Sequence, residues 1–153
     1  MTSSPSSACY PLTIYYDAAC PLCRAEMTNL MLRNHAGLLR FEDASAPGFT
    51  SPLPGVPLAS LMALIHASRA DGTVVRGVEV FRLAYTAVGL PGVARALRLP
   101  LLRTLAERTY PLLARNRHRI PRVLVLWLFE TAARRAAENS ARCTPDGACR
   151  LPR

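Results

Sequence analysis

The sequence predicts an α/β domain: a four-stranded sheet with additional C-terminal helices. Three observations carry this. A short apolar strand, Leu12–Tyr16, runs directly into a helix that opens at Pro21, and Asp71-Gly72 joins two short apolar runs as a hairpin turn does. From Val78 onwards apolar residues recur at helical spacing, interrupted by glycine and proline. At 153 residues and 50% hydrophobic composition the chain suits a single folded core.

Taken in order, the first strand is followed by Asp17-Ala18-Ala19-Cys20-Pro21-Leu22-Cys23 and then by a helix from Pro21 to about His35, with Gly37 as its stop. Proline is well placed in a first helical turn, where its missing N–H has no partner to lose. Cys23, Met27, Leu30 and Met31 form the buried face of this helix, while Arg24, Glu26, Thr28 and Arg33 are expected to point elsewhere. The second strand is Leu38–Glu42. Ala44 to Ser60 contains Pro47, Pro52, Pro54 and Pro57, which forbids a long helix and predicts an irregular crossover with at most a short helical turn. The apolar run Leu61–Ala67 is expected as a buried third strand, paired antiparallel with Thr73-Val74-Val75 and closed by Gly77. A helix over Val78–Val88 follows. After the Gly89-Leu90-Pro91-Gly92 break come helical stretches near Val93–Arg98, Leu101–Asn116 and Val123–Glu138. The order βαβ, irregular crossover, ββα is that of a thioredoxin-like core. Residues 11–139 are expected to form this domain with its helical extension, between a flexible leader, 1–10, and a Cys-containing tail, 140–153.

The chemistry concentrates at Cys20 and Cys23. Cys20 falls at the N-cap of the first helix, where unpaired N–H groups and the positive end of the helix dipole favour a thiolate. Cys23 lies one turn further in, on the buried face. The expected division of labour makes an exposed Cys20 the attacking nucleophile and a shielded Cys23 the resolving thiol of a thiol-disulfide oxidoreductase. The partner would be a disulfide-containing protein or a glutathione-type small thiol, the latter because Pro-Leu between the cysteines is closer to the Cys-Pro-aromatic-Cys of glutaredoxins than to Gly-Pro. Such exchange takes place on sulfur alone, so neither cofactor nor metal is expected. Two other readings stay open: half of a zinc site, which needs further close Cys or His ligands, and two cysteines that merely pack.

Three ordered motifs, Tyr16-Asp17-x-x-Cys20-Pro21-x-Cys23, Asp71-Gly72-x-Val74-x-x-Gly77 and Tyr110-Pro-Leu-Leu-Ala-Arg-Asn-Arg117, resemble the DCC family of thiol-disulfide oxidoreductases over roughly residues 12 to 120. The family name refers to the residues that here are Asp17, Cys20 and Cys23. The resemblance implies a thioredoxin-like fold and a redox-active dithiol. Ala18 is a departure, since members commonly carry glycine there. Better-known thioredoxin-like enzymes place a cis-proline before the third strand; Pro57 is the nearest candidate, either facing substrate or serving as an ordinary loop proline. Pro21, Leu22 and Arg24 join it as candidate substrate-binding residues, with Arg24 either offsetting charge at Cys20 or simply solvated. Asp17 has two readings, proton relay to the thiols or cap of the strand-to-helix turn. Arg115-Asn116-Arg117 matches the family pattern, and one of these arginines is a candidate for packing against the core or orienting the active-site loop.

All 19 basic residues are arginine and the formal charge is +9. Residues 95 to 122 hold eight arginines against one acid, Glu107. Arg108, Arg115, Arg117, Arg119 and Arg122 would meet nucleic acid or another anionic surface, which gives the alternative function: a basic binding or adaptor module. Tyr110 is the segment's single aromatic and no phosphate-cradling loop accompanies it, so a solvated helical face is the simpler reading. His35, His66 and His118 are taken as ordinary, since no nucleophile–histidine arrangement can be placed. Cys143 and Cys149 bracket a Pro-Asp-Gly turn and form a candidate second redox pair, while Cys9 is expected as an exposed thiol. The N-terminus reads as lacking a signal peptide, and the strongest apolar run, Val123–Phe129, falls far short of the ~20 residues that span a bilayer. A cytoplasmic protein without a transmembrane segment is expected.

Overall fold

The computed structural model describes residues 9–125, 127 and 129. Four strands form one mixed sheet in the order β2-β1-β3-β4. β1 (Leu12–Tyr16) runs parallel to β2 (Leu39–Asp43), with Ile14 opposite Phe41, and antiparallel to β3 (His66–Ser68), which pairs antiparallel with β4 (Val74–Arg76). Around it lie α1 (Pro21–Arg33), α2 (Leu58–Ala63), α3 (Val78–Ala87), α4 (Pro91–Ala96) and α5 (Pro100–Asn116), the last continuing into a 3-10 turn at Arg117–Arg119. This is the thioredoxin-like arrangement, with α4 and α5 as its helical extension. Among the described residues no helix is long and apolar enough to cross a membrane.

Alternation along β1 distributes the core. Leu12 and Ile14, both without exposed surface, face a cluster with Met27 and Leu30 of α1 and Val80, Leu83 and Ala84 of α3. Tyr15, one residue out of step, faces the opposite side and packs with Ala44, Leu53 and Leu61 of the α2 layer. The sheet is therefore sandwiched, and β1 ends between the layers where α1 begins. The core also reaches back before residue 11: Cys9 packs against the larger cluster, half-buried rather than exposed, and the buried Tyr10 hydroxyl donates to the Leu83 carbonyl at 2.8 Å.

One expected strand is corrected. The apolar run Leu61–Ala67 splits into the end of α2 and the three-residue β3, because Pro57, with φ −69°, forms the N-cap of a helix that turns Leu61 into the core. The bend at Leu64 then releases the chain into the sheet. The remaining elements stand within a few residues of expectation, and Arg122–Val125, Trp127 and Phe129 are helical where the last helix was expected. The rest of that helix and the 140–153 tail, with Cys143 and Cys149, lie outside the described residues, as do residues 1–8 of the leader.

Gly77 shows how tightly the hairpin joins α3. Its φ of 63° with ψ of −136° is a conformation that side chains resist, and its N–H donates to the Ile65 carbonyl at 2.9 Å. A Cβ here would also meet Leu64 Cδ2 at 3.3 Å. Gly77→Ala is expected to destabilise the fold by about 1–3 kcal/mol, measured by urea unfolding.

Candidate active site

The loop between β1 and α1 is held from outside itself. The Ala18 N–H donates to Asp43 Oδ1 at 3.2 Å and the Ala19 N–H to Ser45 Oγ at 3.2 Å, so the end of β2 grips the turn. Burial pushes the Asp43 carboxyl up, but hydrogen bonds from Ser45 and Ala18 outweigh this and leave it below its ordinary value. Glycine is the only residue type with positive φ among the described residues, so Ala18 occupies the family's glycine position without strain. Asp43 and Ser45 were invisible as site residues, since nothing local marks a contact across some 25 positions.

Cys20 is the N-cap of α1, as expected. Its sulfur accepts the Cys23 backbone N–H at 3.3 Å and the Cys23 thiol at 2.8 Å, and both residues are free cysteines. The expectation about exposure is reversed: Cys20 has 0% of its surface exposed, whereas Cys23 is half-buried. The cap geometry is the reason, because a sulfur that reaches the Cys23 N–H turns inward under the gripped loop. Burial pushes the Cys23 thiol far up, and its hydrogen bond to Cys20 and the charge there add to the effect, so Cys23 holds its proton and donates it to Cys20.

Asp17 is buried and divides its oxygens. Oδ1 accepts the Ala19 N–H at 3.0 Å, the Asx cap of the turn, while Oδ2 meets Arg117 and His118, each at 3.1 Å. The Arg117 side chain is 8% exposed and that of Asp17 1%. Arg117 also donates to the Met62 carbonyl, tying the end of α5 to both β1 and α2. Of the arginines in the third motif, then, Arg117 is the one that orients the loop, and it is withdrawn from the anion-facing surface on which it was expected. Arg108, Arg115, Arg119 and Arg122 remain exposed. Tyr110, Ala114 and Arg117 share one face of α5: Tyr110 meets Phe81 edge-on at 5.7 Å, and the buried Ala114 lets the helix approach closely. Desolvation raises the Tyr110 hydroxyl to about 12.

Two further side chains meet one turn below Cys23. Glu26, expected to point outward, is buried and accepts the Tyr85 hydroxyl; burial pushes its carboxyl up, with Tyr85 and Arg33 pulling the other way. No sequence signal links positions 26 and 85. Of the other candidates the structure brings Leu22 to the cavity beside Cys23, but neither Arg24 nor Pro57. Arg24 is exposed on the outer face of α1. Pro57 is exposed, follows a trans peptide bond and does not line the cavity beside Cys23, whereas Leu22 does; Pro21 sits half-buried in the first turn of α1. His66 is buried with Nδ1 2.8 Å from the Leu64 carbonyl, an ordinary satisfied imidazole.

The family profile of DCC1-like thiol-disulfide oxidoreductases matches residues 14–123, a span that includes the thiols, the hairpin and Arg117. The chain belongs to this family. A chloroplastic Arabidopsis thaliana protein described as uncharacterized is 35% identical over 115 residues, covering 74% of the DCC1-like chain and 54% of the relative. The chain thus spans about half the length of that relative. No solved structure matches it.

Two predictions follow from these buried charges. Arg117→Ala strands Asp17 in the interior and is expected to cost about 3–5 kcal/mol in urea unfolding; Arg117→Lys recovers only part, because the shorter side chain must bring its ammonium to the place from which Arg117 Nη2 donates to both Asp17 and the Met62 carbonyl. Both variants are expected to expose Cys20 to alkylation faster than wild type. Glu26 binds its proton more tightly folded than unfolded, so its contribution is full below the unfolded carboxyl value and is lost as pH rises through the folded one. Glu26→Gln, which still accepts from Tyr85, is expected to flatten this fall and to raise the urea midpoint at neutral pH relative to wild type.

Proposed function

We propose that the protein reduces disulfides by dithiol exchange through Cys20 and Cys23, acting on a disulfide-containing protein or a small disulfide in a reducing compartment such as the cytoplasm. The observation that carries this reading is the sulfur pair itself. One sulfur caps a helix and accepts two hydrogen bonds, while the other stands 2.8 Å away with its proton retained. Since the thiolate is the nucleophile, Cys20 is assigned the attack and Cys23 the resolution of the mixed disulfide. The covered position of Cys20 requires the Ala18–Leu22 turn to part before attack, so the turn gates the reaction. Asp17 and Arg117 act here as positioning residues that hold the gate closed.

The reading is tested by trapping. Cys23→Ser exposed to a model disulfide is expected to accumulate an adduct on Cys20, located by peptide mass spectrometry apart from any on Cys9, Cys143 or Cys149, and the comparison between variants is made at the Cys20 and Cys23 positions alone. Cys20→Ser is expected to accumulate little. Adducts only in Cys20→Ser would reverse the assigned order, and no adduct in either variant would remove the exchange reading.

A further inference from the structure

Beside Cys23 lies a cavity of about 390 Å³, walled by α1, α3, α4 and α5 and lined by Leu22, Phe81, Leu97, Tyr110 and Leu113 among others. Its size falls within the range of small-ligand sites. Among the described residues three charged ones reach its wall, and each already has a partner: Asp17 and Arg117 pair with each other, and Glu26 takes the Tyr85 hydroxyl while burial pushes its carboxyl up. A ligand here meets a mostly apolar wall and one thiol, with the hydroxyl-bearing Tyr16, Tyr85, Thr109 and Tyr110 also in the lining.

We propose that this cavity is the substrate site and that it takes an uncharged disulfide carried on an apolar chain, such as a dithiolane with an aliphatic arm, in preference to glutathione disulfide. The inference rests on the dithiol reading above and adds the substrate class. Each half of glutathione disulfide brings two carboxylates and an ammonium, which would lose water against these walls and gain no partner. An aliphatic arm buries its methylenes between Phe81, Leu97 and Leu113, with its disulfide at Cys23, one sulfur contact from Cys20. The exchange balances without any further reactant. The Cys20 thiolate attacks one ring sulfur, the ring S–S bond breaks, and the second ring sulfur leaves as a thiolate. Cys23 then attacks Cys20 of the mixed disulfide, forming the Cys20–Cys23 bond and expelling the first ring sulfur. The Cys23 proton and one from solvent protonate the two product thiolates, and two electrons have passed from protein to substrate.

The test measures oxidation of the fully reduced protein by lipoamide and by glutathione disulfide, each rate divided by that of free dithiothreitol with the same disulfide. The normalised lipoamide rate is expected to exceed the glutathione rate by on the order of ten-fold, the worth of about two buried methylenes. Leu97→Glu and Leu113→Glu, on the half-buried and exposed rim, are expected to bring that ratio down towards one while each variant keeps a cooperative urea transition, since an unfolded dithiol would give a ratio near one by itself. Equal normalised rates in wild type, a preference for glutathione disulfide, or a ratio unmoved by both substitutions would overturn the substrate assignment while leaving the exchange chemistry standing. Oxidation by neither disulfide would instead remove the dithiol reading.

Discussion

The contact between Arg117 and Asp17 is the constraint on which the site depends. A buried carboxylate at the end of β1 is tolerable only with a charged, hydrogen-bonded partner, and the partner comes from 100 positions further along the chain. Because Arg117 also engages the Met62 carbonyl, the pair joins β1, α2 and the end of α5 at one point. Asp17 in turn caps the loop that carries Cys20. Remove the guanidinium and the loop loses its anchor, although every cysteine remains in place.

Around this point the fold separates two properties usually found on a single sulfur. Cys20 has the helix end and two donors, which suit a negative charge, while Cys23 has the solvent-facing surface and the proton. Strand, loop and helix supply the first arrangement, and Asp43 and Ser45 hold the loop that leads into the N-cap. The helices beyond the thioredoxin-like core complete the site by walling an apolar space against the partly exposed thiol. The extension is therefore part of the chemistry's surroundings rather than an appendage.

Much of this was legible in the sequence where the signals are local. Pro21 fixed the start of α1, the alternation of Leu12–Tyr16 fixed a two-faced strand, and Asp71-Gly72 fixed the hairpin. The Leu61–Ala67 run was misread because a short apolar stretch has no period to distinguish helix from strand, and only the packing of Leu61 on the Tyr15 side decides it. Long-range relations were not legible. The hold on the loop before Cys20 depends on Asp43 and Ser45, the inward Glu26 meets Tyr85, and the choice of Arg117 over Arg115 or Arg119 depends on which face of α5 meets Asp17. The spacing of Tyr110, Ala114 and Arg117 held the clue, visible once the three are placed on one helix face.

The separation of Asp17 and Arg117 by 100 positions bears on biosynthesis. A nascent chain displays both cysteines long before the guanidinium that secures their loop has been made, and domains generally fold as units once their last contacts are available. During translation the loop that carries the dithiol thus lacks its Asp17–Arg117 anchor until the end of α5 has been made. The shape of the dithiol loop is in this way coupled to completion of the domain.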